Sequence, residues 1–399
     1  MSTAAEPRPT LLLSVHSTAH GGSERCAVAE AEHLSPSYSL IVAAPAGPLL
    51  DDLAKHGTTV HGPPLLPTWG DTPRRWMVQL ARTVIDTLRL TRVIRRERVD
   101  AVICNSSVAL SPVLASRLTR RPVLVHLRDS PNSRLAPPLL RLEARLATTV
   151  VPVSAGLATL CGKSPKARVV QIPDGIPIPP AQARSPFRDP LQLGVVGAID
   201  RGKGQDLAVR ALDELLGAGI NAELHLVGRE QDTTFAAELQ ATAGDCGVGE
   251  RVFFHGERRD LEQVYANLDV LLLPSRREAF GLVVLEALAR SLPVVAVRVG
   301  SVPELLLDGA AGVIVEPESP SALAAGVASL RADPKLVGWL TSRGRRHVVE
   351  NYDVRRALQL GSAEIARMIG ERDALSRGEP VSSHSPSDQL AERELLSGP

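Results

Sequence analysis

The sequence predicts an α/β protein built from two doubly wound domains, each a parallel sheet covered by helices. Three observations carry that expectation. Short apolar strands alternate with helical patterns through both halves of the chain, the pattern of stacked βαβ units. The apolar content, 44% of 399 residues, is mostly Ala, Val and Leu with only 3% aromatics, which suits strands buried on both faces. A chain of that length exceeds what one core usually organises, and "IPDGIPIPPAQARSPFRDP" at 172–190, with six prolines and one glycine, breaks it near the middle.

In the first half the expected strands are "LLLSVH" (11–16), "SLIVAA" (39–44), "AVICNS" (101–106), "VLVHLR" (123–128), "TVVPVS" (149–154) and "RVVQIP" (168–173). In the second they are "LQLGVVG" (191–197), "AELHLVG" (222–228), "VFFHG" (252–256), "DVLLLP" (269–274), "PVVAVRV" (293–299) and "GVIVE" (312–316). Each set suffices for one doubly wound domain. The domains are therefore expected at residues 1–176 and 177–375, with the final helix belonging to the second domain or returning to the first. The last stretch, residues 376–399, is polar without sustained periodicity and is expected to be disordered.

The net charge of +1 hides an asymmetry: residues 1–176 carry 21 Lys+Arg against 13 Asp+Glu, and residues 177–399 carry 24 against 31. Cys26, Cys104, Cys161 and Cys246 stand apart, without the close spacing of a zinc or redox motif, which fits a reducing compartment. No apolar run approaches the ~18 residues of a membrane span, and "MSTAAEPRPTLLLSV" lacks a basic n-region, so a cytoplasmic protein is expected. Within "RRWMVQLARTVIDTLRLTRVIRRERVD" (74–100), eight arginines accompany an apolar stripe through Trp76, Leu80, Val84 and Leu88. Two readings follow, a helix packed on its sheet with a solvated basic face, which is the commoner arrangement, or a helix in peripheral contact with an anionic membrane surface. Nucleic acid is disfavoured, because aromatics for base stacking are scarce and the second half is acidic.

The chemistry concentrates in "DVLLLPSRREAFGLVVLEALARSLPVVAV", which reads strand, loop, helix, strand, the helix opening near Gly281 and stopping before Pro293. Glu278 falls in the loop and Glu286 inside the helix. Loops after the carboxyl ends of parallel strands form the crevice in which open α/β sheets bind ligands. A helix start there suits phosphate, and carboxylates accept hydrogen bonds from hydroxyls. A sugar nucleotide meets both demands. The plainer alternative makes Glu278 a helix cap and Glu286 a solvated helix residue.

This region resembles the E-x7-E segment of the family 4 retaining glycosyltransferases, and the resemblance extends to "GGSER" (21–25), "VPVSAG" (151–156), "IPDGIPI" (172–178), "VVGAIDRGKGQDLAVRAL" (195–212) and "VFFHGERRDLEQVYANLDVLLLPS" (252–275). It implies the GT-B fold, two Rossmann-like domains facing across a cleft, with an acceptor held by the first domain and a UDP- or GDP-sugar donor by the second. It implies that Glu286 binds the ribose and Glu278 the transferred sugar, while the backbone of Ala279, Phe280, Gly281 and Leu282 touches sugar hydroxyls and phosphate. Retention of the anomeric configuration, and acceptors among glycans, lipid-linked intermediates and small molecules, are further implications.

Arg201 and Lys203 in "GAIDRGKGQ" follow a strand and precede a helix, so their cations are expected in the same crevice, neutralising the leaving diphosphate. Family members commonly carry an arginine at the place of Ala198, and Arg201 is the expected substitute. Gly21 and Gly22 follow the first strand and would let backbone N–H groups approach an anion. At the end of another strand, His126 and Arg128 share a face, and either is a candidate for reaching the donor sugar. No His/Asp/Glu cluster with ligand spacing appears, so neither metal nor cofactor is expected. Two rivals remain. One is a noncatalytic sugar-nucleotide-binding protein, favoured by Ala198, by the His126/Arg128 ambiguity and by Ser291 where the family usually has glycine. The other is a dinucleotide-dependent oxidoreductase, disfavoured because no G-x-G-x-x-G follows the first strand of either half.

Overall fold

A computed structural model of the chain describes residues 8–18, 21–61, 73–107, 110–129, 136–161, 167–181 and 186–377. The described residues fall into two compact units, one drawn from residues up to 174 together with 355–377, the other from residues 175–354.

Unit 1 runs β1 (Thr10–Ser14), α1 (Gly22–Leu34), β2 (Ser39–Ala44), α2 (Pro48–Leu53), β3 (Thr58–His61), α3 (Pro73–Arg96), β4 (Ala101–Cys104), α4 (Leu110–Thr119), β5 (Val123–Leu127), α5 (Ala136–Leu146), β6 (Thr149–Pro152), α6 (Ala155–Leu160) and β7 (Arg168–Val169). Unit 2 runs β8 (Leu191–Val196), α7 (Gln205–Gly217), β9 (Ala222–Val227), α8 (Thr233–Asp245), β10 (Val252–Phe254), α9 (Leu261–Ala266), β11 (Val270–Leu273), α10 (Leu282–Ala289), β12 (Val294–Val297), α11 (Val302–Leu305), β13 (Val313–Val315), α12 (Pro320–Ala332) and α13 (Pro334–Asn351). The final helix is α14 (Val354–Arg377).

Every strand pairing is parallel, in the orders β3-β2-β1-β4-β5-β6-β7 and β10-β9-β8-β11-β12-β13. In both sheets the first strand of the unit lies inside, two strands step off to one side and the rest to the other. The winding reverses between β1 and β4 and again between β8 and β11, and loops leaving those strands line a crevice. The strands are continuous apolar runs because helices cover both faces. Leu11, Leu13, Val42, Ile103 and Leu124 are buried in one core, and Leu193, Leu224, Val270 and Val295 in the other.

Each of the twelve expected strands has a counterpart, most of them trimmed at the carboxyl end where the run enters its loop. A thirteenth, β3, is an edge strand of sequence "TTVH", too short and polar to show an apolar pattern. The chain passes between units at Asp174–Gly175, within the proline-rich stretch, and again at Val354–Arg355. Most of α14 belongs to unit 1, where Ile365, Met368 and Ile369 join the core. There Glu364, fully buried, pairs with Arg168 at 3.3 Å and Arg367 at 2.8 Å, and Arg372 binds the Asp100 carboxylate at 2.9 Å. Ser376 and Arg377 close α14, and the rest of the tail expected to be disordered, residues 378–399, lies outside the described residues. No described helix is long and apolar enough to cross a membrane.

Ser291 has a backbone explanation. The Leu292 N–H bonds the Ala287 carbonyl at 2.9 Å and the Ser291 N–H bonds the Leu288 carbonyl at 2.9 Å, a closing turn for α10 that places Ser291 at φ 54°. Glycine is favoured at such a left-handed position because a Cβ is strained there. The departure from the family pattern therefore concerns a helix terminus, and Ser291→Gly is expected to stabilise the chain by about 1 kcal/mol, readable as a higher denaturant midpoint at unchanged slope.

Candidate functional site

In unit 2 the two strands that flank the winding reversal deliver the central pair. After β8, the Asp200 carboxylate accepts the Gly202 N–H at 2.7 Å and shapes a 3-10 turn over Arg201–Lys203. After β11, the loop carries Glu278 toward α10. Lys203 Nζ donates to Glu278 Oε2 at 2.8 Å, the carboxylate side chain 9% exposed and the lysine 31%. The loop after β12 braces this arrangement: Gly300 has φ +53°, and a Cβ there would collide with the Glu278 carbonyl. Beside it the Ser301 hydroxyl donates to the Phe280 carbonyl.

Glu286 lies on the second turn of α10 and is buried, its Oε2 accepting the Tyr265 hydroxyl at 2.6 Å. Tyr265, fully buried on α9, is packed beneath the Arg290 guanidinium. A carboxylate taken out of water is costly unless hydrogen-bonded, so Glu286 is a built feature and not a solvated helix residue. Nor does Glu278 cap the helix: the cap is Gly281, in the left-handed region at φ 94°, with no side-chain cap bond. The plainer alternative for the pair fails at both positions. Phe280 is buried against Tyr352, whose phenol is pushed up to about 12 by burial and by Glu304, while Ala279 is half-buried and Leu282 begins α10.

The four cations of these loops divide sharply. Arg201 was expected beside Glu278, but its guanidinium pairs with Glu238 of α8 and lies over the Phe235 ring. Arg276 grips Asp206 through two bonds of 2.8 Å and also holds Glu318. Burial would raise the Asp206 carboxyl, yet the Arg276 bonds outweigh it and hold the group below the usual range. Lys203 is on Glu278. Arg277, exposed, rests against Gly202, its N–H group 3.3 Å from where a Cβ would stand. Sequence reasoning passed over Arg277 although it adjoins Glu278, and it missed Tyr265, whose signal was only its place in the quoted "RRDLEQVYANLDV".

In unit 1 the expected residues meet acids. His126 Nε2 lies 3.1 Å from Glu30 Oε1 of α1, both buried. Burial would raise Glu30, but the His126 charge and hydrogen bond bring it below its ordinary value. Arg128 is buried with Asp174, Nε to Oδ1 at 3.0 Å, and also donates to the Asn105 side chain. Burial, and then Asp174, push up the neighbouring Cys26 thiol. Gly21 has ordinary extended backbone and Gly22 opens α1, with the Glu24 carboxylate folded back against Gly21 and no side chain capping the helix. A carboxylate in a helix's first turn is stabilised by the dipole, as a bound phosphate would be. Among the described residues, no group of three or more His, Cys, Asp or Glu side chains is placed to hold a metal ion.

The two units and the switch-point loops define a GT-B architecture. Residues 20–178 match the family model described as Glycosyltransferase Family 4, and residues 181–347 match Glycosyl transferases group 1. The chain belongs to the family 4 glycosyltransferases. It is 33% identical over 181 residues to a lipopolysaccharide core biosynthesis mannosyltransferase of Rhizobium leguminosarum bv. viciae, covering 45% of this chain and 51% of the relative. It is 33% identical over 230 residues to a GDP-mannose-dependent alpha-(1-6)-phosphatidylinositol monomannoside mannosyltransferase of Mycolicibacterium smegmatis, covering 53% and 58%. The chain thus spans about half the length of these curated relatives. Among solved structures, HepE of Anabaena in complex with UDP-glucose superposes with a TM-score of 0.75 at 22% identity, over 90% of this chain and 99% of that one, a likeness of fold.

Proposed function

We propose that this chain is a metal-independent retaining hexosyltransferase that moves a hexose-type sugar from a nucleoside-diphosphate sugar to a glycan, lipid-linked or small-molecule acceptor. The observation that carries the reading is the Lys203–Glu278 pair at the winding reversal of unit 2, next to the buried Glu286. Glu286 takes the ribose hydroxyls, held in place by Tyr265. Glu278 takes hydroxyls of the transferred sugar. Lys203 and Arg277, with the start of α10, take the diphosphate, so positive charge is supplied without a metal. In the transfer, the bond from the anomeric carbon to the diphosphate oxygen breaks and the acceptor oxygen forms its new bond on the same face. The acceptor's proton passes to the departing phosphate oxygen. His126 and Arg128, both held by buried carboxylates, fasten the β5 end to α1 and to Asp174 in this reading. The GDP-mannose dependence of one relative puts that donor first among the UDP- and GDP-sugars to be tried.

The test is nucleotide release across a panel of UDP- and GDP-sugars with plausible acceptors, run with and without EDTA. One donor should release nucleotide at a rate EDTA leaves nearly unchanged. Loss in EDTA that Mg²⁺ or Mn²⁺ restores would overturn the charge assignment. Tight donor binding with no release under any condition favours the noncatalytic sugar-nucleotide-binding protein that the alanine at position 198 suggests.

A further inference from the structure

The helix α3 is mounted with its apolar stripe outward. Val78, Leu80, Val84, Ile85 and Leu88 are exposed, Leu80 to 66%, whereas Thr83, Asp86, Thr87, Leu90, Thr91 and Ile94 are buried. No other described helix exposes more than two large apolar side chains. On the same outward face the residues change along the axis: past Leu88 they are Arg89, Arg92, Arg95 and Arg96, all exposed. The helix holds seven arginines and one acid, and that acid, Asp86, is on the buried side.

We infer that α3 docks this protein on an anionic lipid bilayer, its apolar half entering the interface and its arginine half meeting lipid phosphates. A bilayer surface is the occupant whose chemistry covers both halves, apolar just below an anionic layer. A polyanion would pair the arginines and leave the leucine half in water. A second copy fits poorly: a parallel pair sets arginine against arginine, and an antiparallel pair sets arginine against leucine, with no exposed acid on the helix to relieve either. The inference does not rest on the transfer chemistry, because its readout is binding and not turnover.

Co-sedimentation with vesicles tests it. The full chain should pellet with phosphatidylcholine vesicles containing phosphatidylglycerol, poorly with phosphatidylcholine alone, and less as salt rises. Two variants at exposed positions, Leu80→Gln/Val84→Gln/Leu88→Gln and Arg89→Gln/Arg92→Gln/Arg95→Gln, should each lose roughly tenfold or more in vesicle affinity at an unchanged melting temperature. The salt titration of the unaltered chain carries the test should a variant fail to fold. Absence of pelleting with anionic vesicles, pelleting of either folded variant like the parent, or a concentration-dependent dimer that the leucine variant abolishes would each overturn the proposal.

Discussion

Lys203→Ala is expected to lower kcat/KM by roughly 100-fold or more, because it removes a cation from where negative charge develops as the diphosphate departs. The variant also leaves Glu278, 9% exposed, without its 2.8 Å partner, so the loop after β11 loses its fixed geometry together with the charge. Thermal melting separates the two consequences from global unfolding. In the same assay Arg201→Ala should stay within about twofold of the parent, since its partner Glu238 is an exposed surface residue. Arg277→Ala should cost about tenfold through the loss of a charge-assisted contact to phosphate. An unchanged rate for folded Lys203→Ala would place the diphosphate elsewhere, and a large loss in Arg201→Ala would mean that its ion pair opens when the donor binds.

Why Lys203 and not Arg201 holds Glu278 was hidden from the sequence for a geometric reason. Both sit in "IDRGKGQ", and spacing alone gives them the same loop. The loop is a 3-10 turn, in which successive side chains rotate by roughly 120°, so residues two apart leave in different directions. By contrast, the position of Glu286 was legible because a helix with Gly281 at its start and an apolar run behind it has only one reading. The alternation of elements likewise made two parallel, doubly wound sheets legible, although the order of strands within each sheet is a property of the fold alone. The orientation of α3 shows the limit of periodicity, which identifies a stripe without saying which way it faces. Its inward face mixes Leu90 and Ile94 with Thr83, Asp86, Thr87 and Thr91, and burial of the threonines is tolerable because the Thr87 and Thr91 hydroxyls donate to the Thr83 and Thr87 carbonyls, each at 2.7 Å. The carboxylates on His126 and Arg128 could not be read either. Strand alternation put the two side chains on one face, but Glu30 and Asp174 lie 96 and 46 residues away in the chain.

The two glutamates should separate cleanly when each is changed to glutamine, because their surroundings assign them different parts of one donor. Glu286 is fixed by Tyr265 and in the proposed reading touches the ribose, which changes little during transfer. Glu286→Gln should therefore weaken donor and free nucleoside diphosphate alike, by about tenfold, as expected for an interaction made equally in the ground and transition states. Glu278 meets the sugar being moved and also steers Lys203. Glu278→Gln should lower kcat by roughly 100-fold and blur the choice among donor sugars, because those contacts tighten only as the glycosidic bond breaks. Affinity for the free diphosphate, which lacks that sugar, should stay within about threefold, the amide still accepting a bond from Lys203 without a full charge behind it. Calorimetric titration of both variants with nucleoside diphosphate and with sugar nucleotide, beside their turnover rates, decides the matter. Equal losses of free-diphosphate affinity would sink the division of labour, and no loss in either variant would return both carboxylates to a purely architectural role.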